Sequence, residues 1–258
     1  MKPLTEMTLK DIKKIKVINF DTDGVTVKKG TEIHETENTL EVKTNNLSPV
    51  LLGKLIQLKK YYHLNFSSGR SLMYLDRMYG KVLWDKASLQ GENGIFTLID
   101  GQVVQHEKFS KESLNLLNKI KVDLRDLANR NDKIRGFEPK QFLITLHASE
   151  DVAEVYDIVK KYDTKDELYT LWNGEAYDIS LKHLNKGTAL RRLCKHMGID
   201  TQETLAIGNG PNDKDMVETA GVGVTTDPSD LKAGEFHTTK SLELGGEELV
   251  DKLLELNK

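Results

Sequence analysis

Two carboxylates two residues apart, Asp21 and Asp23 in Phe20-Asp21-Thr22-Asp23-Gly24, carry the most chemical information in this chain. An aspartate can attack phosphorus and hold it as an aspartyl-phosphate. A second carboxyl nearby can protonate the leaving oxygen and afterwards activate water. Farther along stand a hydroxyl in Ser68-Gly69-Arg70, an ammonium in Lys186-Gly187-Thr188-Ala189-Leu190, and the amide and acid cluster Gly208-Asn209-Gly210-Pro211-Asn212-Asp213. Oxygen donors of this kind suit a hard divalent ion such as magnesium, which keeps several waters and needs only one or two carboxylates. A lysine and backbone N–H groups can hold phosphoryl oxygens while charge redistributes in the transition state.

Each segment alone has an ordinary reading. Asp-Gly marks turns, Ser-Gly marks loops, Lys186 suits a solvated helix start, and Asn212 suits a helix cap. Their joint order, each following a strand or opening a helix, is what gives them chemical meaning.

The elements that must position them follow from periodicity. Lys14 to Phe20 reads as a short buried strand that stops at the Asp-rich turn. Ser48-Pro49 opens a helix, cap residue then proline, with Leu51, Leu52, Leu55, Ile56 and Leu58 as its buried stripe. Tyr62 to Phe66 is the next strand, ending at Ser67-Ser68-Gly69-Arg70. The final third repeats the pattern: a helix from Lys186 to Gly198, a strand from Thr204 to Ile207, a helix from Asp213 to Ala220, a strand from Val222 to Thr225, and a closing helix from Glu247 to Leu256. This alternation predicts an α/β fold with a doubly wound, mostly parallel sheet. In such sheets ligands bind beyond the carboxyl ends of the strands, where the polar segments fall.

The middle of the chain differs. Phe96 to Ile99 and Gln102 to Val104 flank Asp100-Gly101, and Leu168 to Trp172 and Glu175 to Ile179 flank Asn173-Gly174, both read as tight hairpins. Between them lie a helix with Leu114, Leu117, Leu124 and Leu127, a strand from Phe142 to Leu146, and a helix with Val152, Val155, Tyr156 and Val159. The expected organisation is therefore a catalytic core of residues 1–92 and 183–258 with an inserted α+β cap of residues 93–182. Thr26 to Asn46 is longer than a linker needs and reads as a flap or a surface hairpin.

With 258 residues, 38% apolar and 30% charged, and a net charge of −3, the chain has ample core and no basic block that would suit nucleic acid or an anionic membrane. No apolar run is long enough to span a bilayer. Cys194 is the single cysteine, which excludes an internal disulfide and fits a cytoplasmic protein. Oligomeric state is not legible.

Taken together the segments resemble the haloacid dehalogenase superfamily, and within it the Cof-like phosphatases with a large type-2 cap. Asp21-Thr22-Asp23-Gly24 matches the family's Asp-x-Asp-Gly, Ser68-Gly69-Arg70 its second motif, and Lys186-Gly187-Thr188-Ala189-Leu190 its third. Gly208 to Asp213 stands where the family has Gly-Asp-x-x-Asn-Asp, and Gln90-Gly91-Glu92-Asn93-Gly94 resembles the core-to-cap junction. The resemblance implies Asp21 as nucleophile and metal ligand, and Asp23 as general acid/base with its carbonyl on the metal. It further implies Ser68, Gly69, Lys186 and Asn212 around the phosphoryl group. Magnesium would be the cofactor, held by Asp21, Asp23, Asn209 and Asp213.

Asn209 replaces the aspartate that ligates magnesium in most relatives. Its amide oxygen can coordinate, but one negative charge is lost, so weaker binding is expected, with Asp213 compensating directly or through water. The resemblance implies hydrolysis of a phosphate monoester of a small metabolite, a sugar phosphate above all. The alternatives are a phosphomutase of the phosphomannomutase type and a non-catalytic metabolite-binding relative. Asp23 disfavours a pump, since ATP-driven relatives carry Thr there.

Overall fold

The structure is a computed structural model that describes residues 1–258. It forms two compact units, one of residues 1–29, 45–106 and 184–258, the other of 30–44 and 107–183. The chain begins with β1 (Lys2–Pro3), α1 (Leu9–Ile12) and β2 (Val17–Asp21), then the hairpin β3 (Thr31–Glu35) and β4 (Leu40–Thr44). Next come α2 (Pro49–Leu58), β5 (His63–Ser67), α3 (Leu72–Tyr79), β6 (Ala87–Gly91), β7 (Phe96–Ile99) and β8 (Gln102–Gln105). The middle holds α4 (Lys111–Ala128), β9 (Ile134–Phe137), β10 (Ile144–Ala148), α5 (Ala153–Tyr162), β11 (Leu168–Trp172) and β12 (Ala176–Leu181). The last third holds α6 (Lys186–Met197), β13 (Thr204–Gly208), α7 (Lys214–Thr219), β14 (Val222–Thr225), β15 (Phe236–His237) and α8 (Leu242–Leu256).

The first unit is built on a nine-stranded sheet in the order β1-β15-β14-β13-β2-β5-β6-β7-β8. Pairing is parallel from β1 to β6 and antiparallel for β7 and β8. All five residues of β2 are buried, as a central strand covered on both faces requires. Ile18, Phe20, Leu64, Phe66, Leu205 and Ile207 pack one core with Leu51, Leu55 and Leu58 of α2 and Leu249, Val250 and Leu253 of α8. The Ser48 hydroxyl caps α2 by accepting from the Leu51 N–H at 3.0 Å, with Pro49 following it. Ile56, expected in the buried stripe, is exposed, because the three residues four and three apart (Leu51, Leu55, Leu58) already fill the contact.

The sheet's other face carries a buried polar ladder. Asn19, Asn65 and Ser88 are register neighbours across β2, β5 and β6. Asn65 donates to Asn19 and, at 3.0 Å, to Gln90, and accepts from the Ser88 hydroxyl at 2.7 Å. His63 Nε2 meets the same hydroxyl at 2.8 Å, and Gln90 donates to the Ala189 carbonyl of α6 at 2.9 Å. Asn65, Ser88 and Gln90 thereby find partners, as burial demands, while Asn19 Nδ2 is left without one.

Two expected boundaries move. The hairpin β7–β8 was expected in the inserted unit, but β7 pairs with β6 and extends the core sheet, so the first unit runs to residue 106. Its turn is as expected: Asp100 and Gly101 both take positive φ, 49° and 75°. Residues 30–44, expected in the core, belong to the second unit. There the Glu35 carboxylate accepts from the Phe137 N–H at 2.8 Å and pairs with Arg125 at 3.0 Å.

The second unit has a four-stranded antiparallel sheet, β11-β12-β10-β9, with α4 and α5. Leu117, Ile120, Leu124 and Leu127 of α4 and Val155 and Val159 of α5 are buried, while Leu114 is exposed. The turn between β11 and β12 lies one residue later than expected, since the Asn173 N–H pairs with the Ala176 carbonyl and Gly174 takes φ 93°. Trp172 packs across this hairpin on Tyr177, with ring centroids 4.7 Å apart. His147 is buried and bonded to Glu138 at 2.8 Å. No helix is long and apolar enough to cross a membrane.

Candidate active site

β2 ends at Asp21, level with the ends of its neighbours β5 at Ser67 and β13 at Gly208, and the chain turns there. The N–H groups of Val25, Thr26 and Val27 all point at the Thr22 carbonyl, and the Gly24 N–H closes on the Val27 carbonyl at 2.8 Å. Gly24 takes φ 80°, in the left-handed region where a Cβ is costly. This turn sets Asp21 and Asp23 on opposite sides of one loop. Asp21 is buried; the Asp23 side chain remains 31% exposed.

Lys186, the first residue of α6, reaches into the sheet end. Asn185 caps that helix by accepting from the Thr188 N–H at 2.8 Å. The Lys186 ammonium lies 2.5 Å from Asp21 Oδ1 and 2.6 Å from Asp213 Oδ1, and all three side chains are buried. Asp213 Oδ2 accepts from the backbone N–H groups of Asn209 at 2.9 Å and Gly210 at 3.1 Å, which folds the 208–213 loop around it. Gly208 is required there, since a Cβ would overlap the Asp213 side chain.

Burial, followed by the charge of Asp213, raises the Asp21 carboxyl to about 7, against the opposing pull of the Lys186 ammonium. Burial also works against the Lys186 ammonium, but Asp21 and Asp213 more than offset it and hold its pKa above the ordinary lysine value. The lysine is thus a permanent cation beside Asp21.

Ser68 follows Ser67, the register partner of Asp21. It is buried, its N–H donates to the Gln90 carbonyl at 2.9 Å, and its hydroxyl accepts from the Arg70 N–H at 3.2 Å. Gly69, beside it, is half-buried. Arg70 then turns back: Nε donates to Asp23 Oδ2 and a terminal nitrogen to Asp23 Oδ1, both at 2.7 Å. Asn212 is exposed on the single turn Pro211–Asp213.

Asn209 is buried, and only one orientation of its amide satisfies its neighbours. The NH2 donates to Asp21 Oδ2 and to the Asp23 carbonyl, both at 3.1 Å, and the amide oxygen accepts from the Lys29 ammonium at 3.0 Å. A divalent ion needs lone pairs converging from Asp21, Asp23 and residue 209. As bonded, Asn209 presents N–H groups to the other two, and turning its oxygen inward would set its NH2 against the Lys29 ammonium. Asp213 is spoken for by Lys186 and two N–H groups. The side chains therefore do not fit the metal set that the family resemblance implies.

Asp21, Lys186, Asn209 and Asp213 thus meet in one cluster, with Ser68 and Asp23 on adjoining turns and Asn212 apart from their hydrogen bonds. Two residues had no role assigned from sequence. Arg70 stood in a quoted motif without a partner, and Lys29 lay in a stretch with no chemical signal.

The geometry can be compared with known proteins. A family profile described as haloacid dehalogenase-like hydrolase matches residues 117–232. The chain is 25% identical over 169 residues to a phosphoglycolate phosphatase of Methanopyrus kandleri, covering 64% of this chain and 70% of that protein. It is 39% identical over 66 residues to the phosphatase YwpJ of Bacillus subtilis, covering 25% of this chain and 23% of that one. The C-terminal domain of trehalose-6-phosphate phosphatase from C. albicans shares the fold at TM-score 0.70 and 16% identity, covering 96% of this chain and 94% of that chain. Over residues 117–232 the chain thus matches the haloacid dehalogenase-like hydrolases, and the relatives that it resembles in sequence are named phosphatases.

Proposed function

We propose that the chain hydrolyses phosphate monoesters of small metabolites through an aspartyl-phosphate on Asp21. The Lys186 ammonium, fixed between Asp21 and Asp213, is the observation that carries this reading. It holds the carboxylate at the strand end and supplies the positive charge that phosphoryl oxygens need as the bond to the leaving oxygen breaks. The Asp21 carboxylate forms the new bond to phosphorus, and the leaving oxygen takes a proton from Asp23. Water then attacks the aspartyl-phosphate, giving its proton to Asp23 and returning Asp21 as carboxylate. This reading assigns Ser68, the Gly69 backbone and Asn212 as the remaining donors to the phosphoryl group, Asn212 from an exposed position on the Pro211–Asp213 turn.

Sugar phosphates and small phosphorylated acids are the substrate classes this reading favours, in keeping with the names of the relatives. Phosphate release from a panel of both classes, with Asp21→Asn as the inactive control, tests it. Turnover that survives Asp21→Asn would remove the nucleophile assignment.

A further inference from the structure

The Asp21 face that resembles a metal site already has a cation. Lys29 is pinned as a residue: Val27 bridges to Asp23, and Asn45 Nδ2 donates to the carbonyls of Lys28 and Lys29, each at 3.2 Å. Its stem crosses Gly24, where a Cβ would stand 2.7 Å from Lys29 Cε and 2.6 Å from the Asn209 amide atom that faces Lys29, its oxygen in the satisfied orientation. The glycine thus leaves room for both side chains. Lys29 is exposed at the rim, with its ammonium turned in on the buried Asn209 amide. The amide in turn points its two N–H bonds at Asp21 Oδ2 and the Asp23 carbonyl.

Charge supports the same conclusion. Relative to a carboxylate at position 209, the amide removes one negative charge, and the Lys29 ammonium adds one positive charge. The site is then two charges more positive, which is the charge of a magnesium ion. The hydrogen bonds to Asp21 are charge-assisted and oriented, as coordination bonds would be.

We infer that this site runs on its own cation: Lys29, relayed through Asn209, stands in for the divalent ion, and Asn209 is a hydrogen-bond donor to Asp21 rather than a metal ligand. The role in turnover rests on the proposed phosphatase chemistry; the binding preference does not.

The test uses the full chain and Mn2+ as a spin-active probe, reading free Mn2+ by electron paramagnetic resonance. Wild type is compared with Lys29→Met, Asn209→Asp and the double variant, each checked for folding by circular dichroism. Wild type is expected to leave millimolar Mn2+ free, and the double variant to bind it at least about tenfold more tightly, the scale on which neighbouring groups tune metal sites. Stoichiometric Mn2+ binding by wild type, or no gain in the double variant, overturns the inference. If Asn209→Asp fails to fold, Lys29→Met decides: a gain in affinity supports the inference and none overturns it. Phosphate release by wild type is expected to persist in EDTA, and its abolition by EDTA would equally overturn the inference. A chain that turns over no phosphate ester but shows the expected Mn2+ pattern sinks the phosphatase chemistry and leaves the internal cation standing.

Discussion

Arg70 holds Asp23 by two parallel hydrogen bonds, Nε to Oδ2 and a terminal nitrogen to Oδ1, each at 2.7 Å. A guanidinium fork matched to a carboxylate fixes orientation as well as charge. Asp23 is thereby aimed from the β5 side of the site while its own backbone stays with the β2 turn.

That pairing makes a leaving-group prediction. An aryl phosphate departs without a proton, whereas in the proposed chemistry an alkyl phosphate takes one from Asp23. Asp23→Asn should cost alkyl phosphate hydrolysis about 10²–10⁴-fold and aryl phosphate hydrolysis much less. Arg70→Lys keeps the charge but not the fork, and should show the same selectivity at about tenfold or more. Parallel kcat values for p-nitrophenyl phosphate and a sugar phosphate check this; equal losses on both substrates would mean Arg70 only supports the loop.

Lys186 lies buried between two carboxylates, so its removal leaves buried charge uncompensated. Lys186→Met should destabilise the chain by about 3–5 kcal/mol and abolish hydrolysis. Adding Asp213→Asn should recover part of the stability, because the amide oxygen can still accept from the Asn209 and Gly210 N–H groups without the extra charge. Denaturant melts of the single and double variants give the answer; no recovery would point to a packing role for the lysine.

The raised carboxyl of Asp21 links stability to pH. In the unfolded chain the group titrates near 3.8, in the folded chain near 7. The folded state therefore keeps a proton that the unfolded state has lost, and the stability this contributes is fully present below the lower value and disappears as pH rises through the upper one. Asp21→Asn has no such proton to lose. Its melting temperature should gain on wild type between about pH 5 and about pH 8, and a constant difference across that range would place Asp21 in an ordinary carboxylate range.

Much of this was legible because parallel strands are marked by full burial and their carboxyl ends by polar turns. Lys14 to Phe20 and Thr204 to Ile207 read as strands, close to the observed Val17–Asp21 and Thr204–Gly208, and Lys186 as the start of a helix. What escaped depends on partners far away in sequence. The β7–β8 hairpin was visible, but nothing local says that it pairs with β6. The β3–β4 hairpin joins the second unit through Glu35, more than 85 residues from Arg125 and Phe137. The closing helix starts at Leu242 rather than the expected Glu247, and it holds Gly245 and Gly246, where a Cβ at Gly246 would overlap the Val25 carbonyl. Lys29 escaped for the same reason, since its partner is Asn209.

Gly94 shows how a residue outside the cluster controls it. It takes φ 83°, and a Cβ there would overlap the Ala189 side chain. Ala189 lies on α6 three residues after Lys186, so pushing the helix away moves the ammonium from Asp21. Gly101 takes φ 75° with open space where its Cβ would be, and so bears the backbone strain without the collision. Gly101→Ala should therefore cost about 1–2 kcal/mol and leave kcat unchanged. Gly94→Ala should cost more and lower kcat as well, because overpacking against a helix displaces it. Melting curves and kcat for the two variants separate strain from displacement. An unchanged kcat in Gly94→Ala would mean that α6 holds Lys186 in place despite the collision.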